Sequence, residues 1–595
     1  MTFKRFRSTV LPLSLFGVML AAAPFVAAQT GGGTPQTPPP APAGAKPAPP
    51  ATQPSPATRP VTPLQQWLTD TRKIEDPGKK LEALRSIRNG SAAALRTVDT
   101  DILSLLLTKF PDRTDDIGAA FRQVLDGIPA SSSPESRLAM TVSAATLLLD
   151  RKILLYKAEA AVAQAYEAFD PEKYAASLRK MAADSKRPAP SEKQLTTSVN
   201  NTKARALETL GRLHIALGDT ARGEKELKDV LTLNPVSAPA AIALAESAVK
   251  HGEKNTALGY YFAAALGGRI KPADETAMRG LYRDVSGSDA GFEDAWDKTY
   301  REKLPNPVTA EKYVRTASRT NRTILAEMFT GSGCPPCAGA DLALDAVMAR
   351  YRPEDVIAIA YHVHIPQPDP MTTPGSMARK EYYKVPGVPT IHVDGGGEPP
   401  SAGRGYFKVG GGDRDSATRI YPDYVKAIDK ELEIAPRGAL GVRASLDGQR
   451  VKVTATVSNV AADAKDLKLH VILAEHELRF SGENGIRFHP MAVRGVAGDD
   501  KPGLPVTLES GKATITHTFD LATIREQIVK SLADEIAKRR EQTKAAPVPP
   551  TYRAEGHAYT EIDTSALAVV VFLQDADRNV LQAARADVAP VRTKR

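Results

Sequence analysis

The chain holds two cysteines in 595 residues, and they sit together as Cys334-Pro335-Pro336-Cys337. The residues on either side restrict the fold around them. An apolar run, Ile324 to Thr330, leads into the pair, and Leu344, Val347, Met348 and Tyr351 follow it at helical spacing. A strand therefore delivers the pair to the start of a helix. There the first sulfur meets backbone N–H groups without intrahelical partners and the positive end of the helix dipole, which favour thiolate over thiol. Cys334 is the expected nucleophile and Cys337 its resolving partner.

Val356 to Ala360 reads as a second buried strand, so the pair lies at the switch point of a strand-helix-strand unit. Further along, Val385-Pro386-Gly387-Val388-Pro389-Thr390-Ile391-His392-Val393 is a strand reached through a proline. In this order of elements the segment resembles the thioredoxin superfamily. The stretch Glu327-Met328-Phe329-Thr330-Gly331-Ser332-Gly333-Cys334 is similar to the Omp28-related outer-membrane proteins and other secreted thioredoxin-like proteins. The resemblance spans residues 320 to 400, and more loosely the β-rich segment after them. It implies that Pro389 is cis and lies beside the cysteines, where its backbone would hold a substrate chain, with Val388, Gly333 and Pro335 as further substrate contacts. It also gives Glu327 a place beneath the pair, either as a buried base with a raised pKa or as a surface carboxylate. Two departures stand out: Gly333 replaces the tryptophan of thioredoxin, and Pro335-Pro336 replaces Gly-Pro, removing two N–H donors that could stabilise a thiolate.

Three chemistries compete for the pair. Thiol-disulfide exchange needs the strand-helix junction and the later proline, and both are present. A zinc or copper(I) site would add imidazoles from His362, His364 and His392, but the second close-spaced pair typical of zinc sites is missing. An inert structural disulfide is the third. His362 and His364 alternate on one strand and are expected on one face, as structural histidines or as groups that tune Cys334. The expected reaction requires no cofactor, and no phosphate-binding loop or nucleotide fingerprint is present. The partners it implies are protein thiols and disulfides.

The rest of the chain places this unit in a larger protein. A length of 595 allows three or four domains, and two cysteines with 42% hydrophobic residues exclude a disulfide-stapled scaffold. The net charge of +9 is spread along the chain and does not form a nucleic-acid footprint. Residues 1–28 read as a secretory leader, with Lys4, Arg5 and Arg7 before an apolar run and small residues at Val26-Ala27-Ala28, so the mature protein is expected in the periplasm, the cell envelope or outside the cell, with no transmembrane segment after leader removal. Residues 29–63 are a Pro/Ala-rich linker. From 64 to 306 helical periodicity dominates. Leu207, Leu210, Gly211, Gly218, Leu227 and Pro235 fall at tetratricopeptide offsets, repeated more loosely by Leu244, Ala245, Gly252, Ala257, Tyr261 and Ala264; an ordinary helical domain is the alternative, and a groove for a protein partner the functional reading.

The α/β thioredoxin-like domain is expected over 307–435, with a proline-rich insertion, Ile365 to Pro374, lining its groove. Residues 436–595 alternate as an all-β sandwich with a helical insertion, in which Lys538-Arg539-Arg540 reads as a solvated face. The sequence thus favours an exported thiol-disulfide oxidoreductase, with a non-enzymatic envelope binding or scaffold protein as the alternative and a metal-delivery protein behind it.

Overall fold

The computed structural model describes residues 63–90, 95–186, 189–268, 270–396, 405–498, 503–542 and 560–590. The expected leader and nearly all of the linker lie outside them. The described residues up to Ala161 form one compact unit and those from Val162 onward another, a division that falls inside the 64–306 helical segment.

The first unit is helical: α1 (Pro63–Arg72), α2 (Pro77–Gly90), α3 (Leu95–Lys109), α4 (Thr114–Asp126) and α5 (Pro134–Arg151), with α6 (Leu155–Glu167) carrying the chain into the second. Its interior is apolar, built on Val98, Leu103, Leu106, Ile117, Phe121 and Leu138.

The second unit continues with α7 (Pro171–Asp184), α8 (Glu192–Leu217), α9 (Thr220–Leu233), α10 (Ala238–Lys250), α11 (Lys254–Ala265), α12 (Pro272–Ser286) and α13 (Phe292–Lys303). A capping box between Ser191 and Gln194 starts α8, and Gly218, at φ +98°, ends it. Gly252, at φ +77°, follows α10 in the same way. The two glycines stand 34 residues apart, the period of a tetratricopeptide repeat, so α8–α9 and α10–α11 are successive hairpins of a helical repeat-like region. In the first hairpin a Cβ on Gly223 would lie 2.5 Å from the Gly211 carbonyl oxygen and 2.7 Å from Ile215 Cγ1. Gly223→Ala is therefore expected to cost about 1–3 kcal/mol by overpacking. Gly259→Ala on α11, where a Cβ meets nothing within 4 Å, should instead stabilise by roughly 0.5–1 kcal/mol. Urea unfolding of the two variants checks the pair, and equal effects would mean that Gly223 is not a contact.

Two sheets follow. Strands β1 (Ile324–Thr330), β2 (Val356–His362), β3 (Thr390–Val393) and β4 (Tyr406–Val409) come with α14 (Cys337–Arg350), α15 (Pro374–Tyr383) and α16 (Ala417–Leu432); then come β5 (Ala439–Asp447), β6 (Arg450–Ser458), β7 (Lys468–Arg479), β8 (Phe488–Val496), β9 (Leu504–Pro505), β10 (Lys512–Asp520), α17 (Leu521–Gln542), β11 (Leu567–Gln574), β12 (Val580–Asp587) and β13 (Ala589–Pro590). β1 is parallel to β2 and antiparallel to β3, and β3 is antiparallel to β4. The mixed sheet does not stop at β2. β8 joins it in parallel through Ala360 and Ala492, giving the order β12-β11-β7-β8-β2-β1-β3-β4 with β9 beside β7. Strands from the 307–435 and 436–595 segments thus share one sheet. The second sheet has the order β10-β6-β5-β13.

Alternation along each strand assigns the layers. Ile324, Ala326 and Met328 of β1 face α14 and α16. Leu325 and Phe329 face the opposite way, into a cluster that also takes Tyr361, Ile472, Val493, Phe572 and Val580. The long sheet curls around this second cluster. Val580 N–H donates to the Asp394 carbonyl at 3.1 Å, and Arg322 Nη2 to the Val580 carbonyl at 3.0 Å, so the start of β12 returns to the ends of β1 and β3. On the far end of the sheet, Val451, Val453, Val471, Leu473, Val569 and Val571 pack between the two sheets.

Candidate functional site

β1 ends at Thr330, a tight turn through Gly331-Ser332-Gly333 follows, and α14 begins at Cys337. Cys334 and Cys337 form a disulfide with Cα atoms 5.3 Å apart. The Cys337 N–H donates to the Cys334 carbonyl at 3.0 Å. Cys334 is 3% exposed and Cys337 fully buried, while Pro335 and Pro336 between them are exposed. Cys334 Sγ lies 3.8 Å from the Val388 carbonyl oxygen, and the Val388–Pro389 peptide bond is cis. The chain ahead of β3 is thus brought to the cysteine turn. The Gly410-Gly411-Gly412 turn closes the third side: Gly410 N–H donates to the Pro389 carbonyl at 2.9 Å and Gly412 N–H to the Pro336 carbonyl at 2.7 Å. A Cβ on Gly411 would stand 2.1 Å from the Pro336 oxygen, which is why the sequence has glycine there.

Glu327 is buried, but not as a base beneath the sulfurs. Its side chain leaves β1 on the side of Leu325 and Phe329, whereas α14 packs on the side of Met328. Arg379 of α15 pairs with both of its oxygens at 2.9 and 3.0 Å, and the Tyr361 and Tyr383 hydroxyls donate to it at 3.0 and 2.7 Å. Burial pushes the Glu327 pKa up, but the Arg379 charge and these hydrogen bonds outweigh it and hold the carboxyl below its ordinary value. The raised pKa expected from burial alone is overturned by Arg379, a cation 52 residues further along the chain.

His392 lies apart from the other two histidines, which both meet Asp369. His392 stacks on Tyr383 with ring centroids 4.0 Å apart, on the Glu327 side of the sheet. His362, the last residue of β2, pairs through Nδ1 with Asp369 at 3.1 Å. His364 lies beyond the strand, so the expected alternation stops short of it; its Nδ1 accepts the Asp369 N–H at 3.0 Å. Among the described residues no group of three or more His, Cys, Asp or Glu is arranged to hold a metal ion.

Sequence reading missed Asp341, one helical turn after Cys337. Its Oδ2 accepts a hydrogen bond from Thr330 Oγ1 at 2.9 Å, and burial, together with nearby Asp369, raises its pKa to about 7 against the opposing pull of Thr330 and His362. It lines a cavity of about 420 Å³ with Thr330, Asp345, His362 and His489. The i, i+4 offset from Cys337 was the available signal. A carboxyl titrating near neutrality on the helix that begins at the resolving cysteine is a candidate acceptor for its proton.

No protein-family model matches the sequence, and no curated protein matches it. Among solved structures, PilW, titled a widely conserved type IV pilus biogenesis factor, is 15% identical over 41% of this chain and 92% of its own, with a TM-score of 0.25. A similarity at that score carries no argument about this chain. No helix among the described residues is long and apolar enough to cross a membrane.

Proposed function

We propose that this chain is an exported thiol-disulfide oxidoreductase of thioredoxin-like architecture that acts on envelope or secreted proteins. The observation that carries the reading is the Cys334 sulfur set 3.8 Å from the Val388 carbonyl, at a cis-proline that opens the next strand. Further support comes from the strand order β2-β1-β3-β4 with α14 and α16 on one face and the disulfide at the start of α14. Export rests on the leader at 1–28.

In the reducing direction, Cys334 thiolate attacks a substrate disulfide, one substrate sulfur leaves as thiolate, and a mixed disulfide forms with the substrate chain along Val388-Pro389. Cys337 then gives its proton to Asp341, attacks Cys334 and releases the second substrate thiolate, leaving the pair oxidised. Asp341, not Glu327, takes the proton, because Glu327 is already neutralised by Arg379.

The test is a redox titration of the mature protein against glutathione, with alkylation of free thiols. Cys334→Ser should abolish exchange and Cys337→Ser should trap a mixed disulfide; a pair that neither titrates nor traps a partner overturns the reading. The resolving step should accelerate as pH rises through about 7, where Asp341 ionises, and Asp341→Asn should lose that limb of the pH-rate profile and slow the step by about 10²-fold. The 3% exposure of Cys334 favours a second reading, a non-enzymatic scaffold with a permanently oxidised pair, which predicts failure of both measurements.

A further inference from the structure

The segment after β2 lies over the cysteine turn and is anchored at both ends. Val363 N–H donates to the Thr330 carbonyl at 2.9 Å. At the other end the buried Asp369 carboxylate accepts the Ser332 N–H at 2.6 Å and the Met371 N–H at 2.8 Å, and it pairs with His362. Between these anchors the chain rests on the two glycines that flank Ser332. A Cβ on Gly331 would stand 2.4 Å from the Ile365 carbonyl oxygen, and one on Gly333 would stand 3.3 Å from Gln367 Cβ. Residues 364–368 therefore pack against the turn that leads into Cys334.

That span is held from outside by α17. Arg539 donates to the His364 carbonyl at 2.8 Å and to the Pro366 carbonyl, and His364 Nε2 meets Ser531 Oγ at 3.4 Å. Arg539 is in turn aligned by Glu535 one turn earlier on the helix, and Ile528, Leu532 and Ile536 fix α17 through its buried face. The Lys538-Arg539-Arg540 cluster is thus not simply a solvated face: its middle residue is half-buried against the segment beside the disulfide.

We propose that residues 364–368 are a gate over the Cys334–Cys337 disulfide, latched by Arg539 of α17, and that the gate determines which partners reach the sulfurs. An extended protein chain needs the flank that Gln367 occupies, whereas a small thiol needs less of it. The part concerning protein chains rests on the function proposed above; the gating concerns access alone.

Two variants of the full chain act on different sides of the gate. Arg539→Met keeps the aliphatic stem and removes the latch, and Gly331→Ala drives a methyl group against Ile365 from beneath. The measured quantity is the second-order rate of disulfide reduction by dithiothreitol, read by alkylation and mass, with the unfolding midpoint of each variant as a control. Each variant should be reduced about tenfold faster than wild type, the scale of one or two net hydrogen bonds lost from the closed state. Wild-type rates in folded Arg539→Met overturn the gate even if Gly331→Ala fails to fold. Faster reduction without capture of any protein by Cys337→Ser keeps the gate and removes the exchange function; capture with unchanged reduction rates does the reverse.

Discussion

Replacing Arg379 with methionine is expected to destabilise the second unit by about 3–5 kcal/mol and to reverse the sign of its pH dependence near the glutamate range. Arg379 is fully buried, with its guanidinium between Glu327, Tyr383 and the side-chain oxygen of Gln574 at 3.3 Å. The surroundings are the apolar cluster inside the curled sheet, where Phe329 stacks on Tyr361 at 5.0 Å. Without Arg379 the carboxylate has two tyrosine hydroxyls and no counter-charge. In the wild type the Glu327 pKa is held down, so its contribution to stability is present above the unfolded-state value and is lost as pH falls through the folded one. In Arg379→Met burial is opposed mainly by the tyrosine hydroxyls and raises the pKa, so its contribution is present below the unfolded-state value and is lost as pH rises. Denaturant unfolding at several pH values reads both effects. Glu327→Leu combined with Arg379→Met should recover most of the loss, because a buried ion pair is often replaceable by apolar groups of similar volume. A cost below about 1 kcal/mol, or an unchanged pH slope, would mean that Glu327 does not depend on Arg379.

The residues that could be read from sequence are those whose signals are local. β1, the cysteine turn, α14 and the approach to β3 follow from an apolar run, a CxxC spacing, helical periodicity and a proline. The α8–α9 and α10–α11 hairpins follow from small residues at fixed offsets. What was not legible depends on partners far away in the chain. The continuation of the sheet from β2 to β8 rests on a single parallel pairing of Ala360 with Ala492, which no periodicity announces. Arg379 lies in a helix whose sequence marks no charged residue as buried, and Arg539 sits in what composition alone makes a solvated basic cluster. Among the residues that were missed, Asp341 had a local signal, its position one turn from Cys337, but nothing in the sequence showed that it would be desolvated.

Arg487→Met is the second substitution with a large expected effect, about 3–5 kcal/mol, and it acts on the attachment of α13 to the sheet. Glu293, Trp296, Asp297 and Tyr300 recur on one face of α13 at helical spacing, and that face meets the turn between β7 and β8. Arg487, 2% exposed, donates to Asp297 at 2.6 Å, to Glu293 at 2.8 Å and to Ser481 at 3.0 Å, with its guanidinium carbon 4.1 Å from the Trp296 ring centroid. Tyr300 adds a hydrogen bond to the Gly485 carbonyl at 2.7 Å. Among the described residues, removing Arg487 leaves the buried Asp297 carboxylate paired with Arg479, whose side chain is 48% exposed and whose Nε is 3.0 Å away. That remaining pair is screened by solvent and replaces little of what is lost. Arg479→Met should accordingly cost under about 1 kcal/mol. Hydrogen exchange separates this local effect from general weakening: in Arg487→Met the amides of α13 should lose protection before those of β1 and β2, because the sheet keeps its own apolar layers. Equal costs for the two arginines, or uniform loss of protection, would place the strength of this junction in its apolar contacts and not in the buried charges.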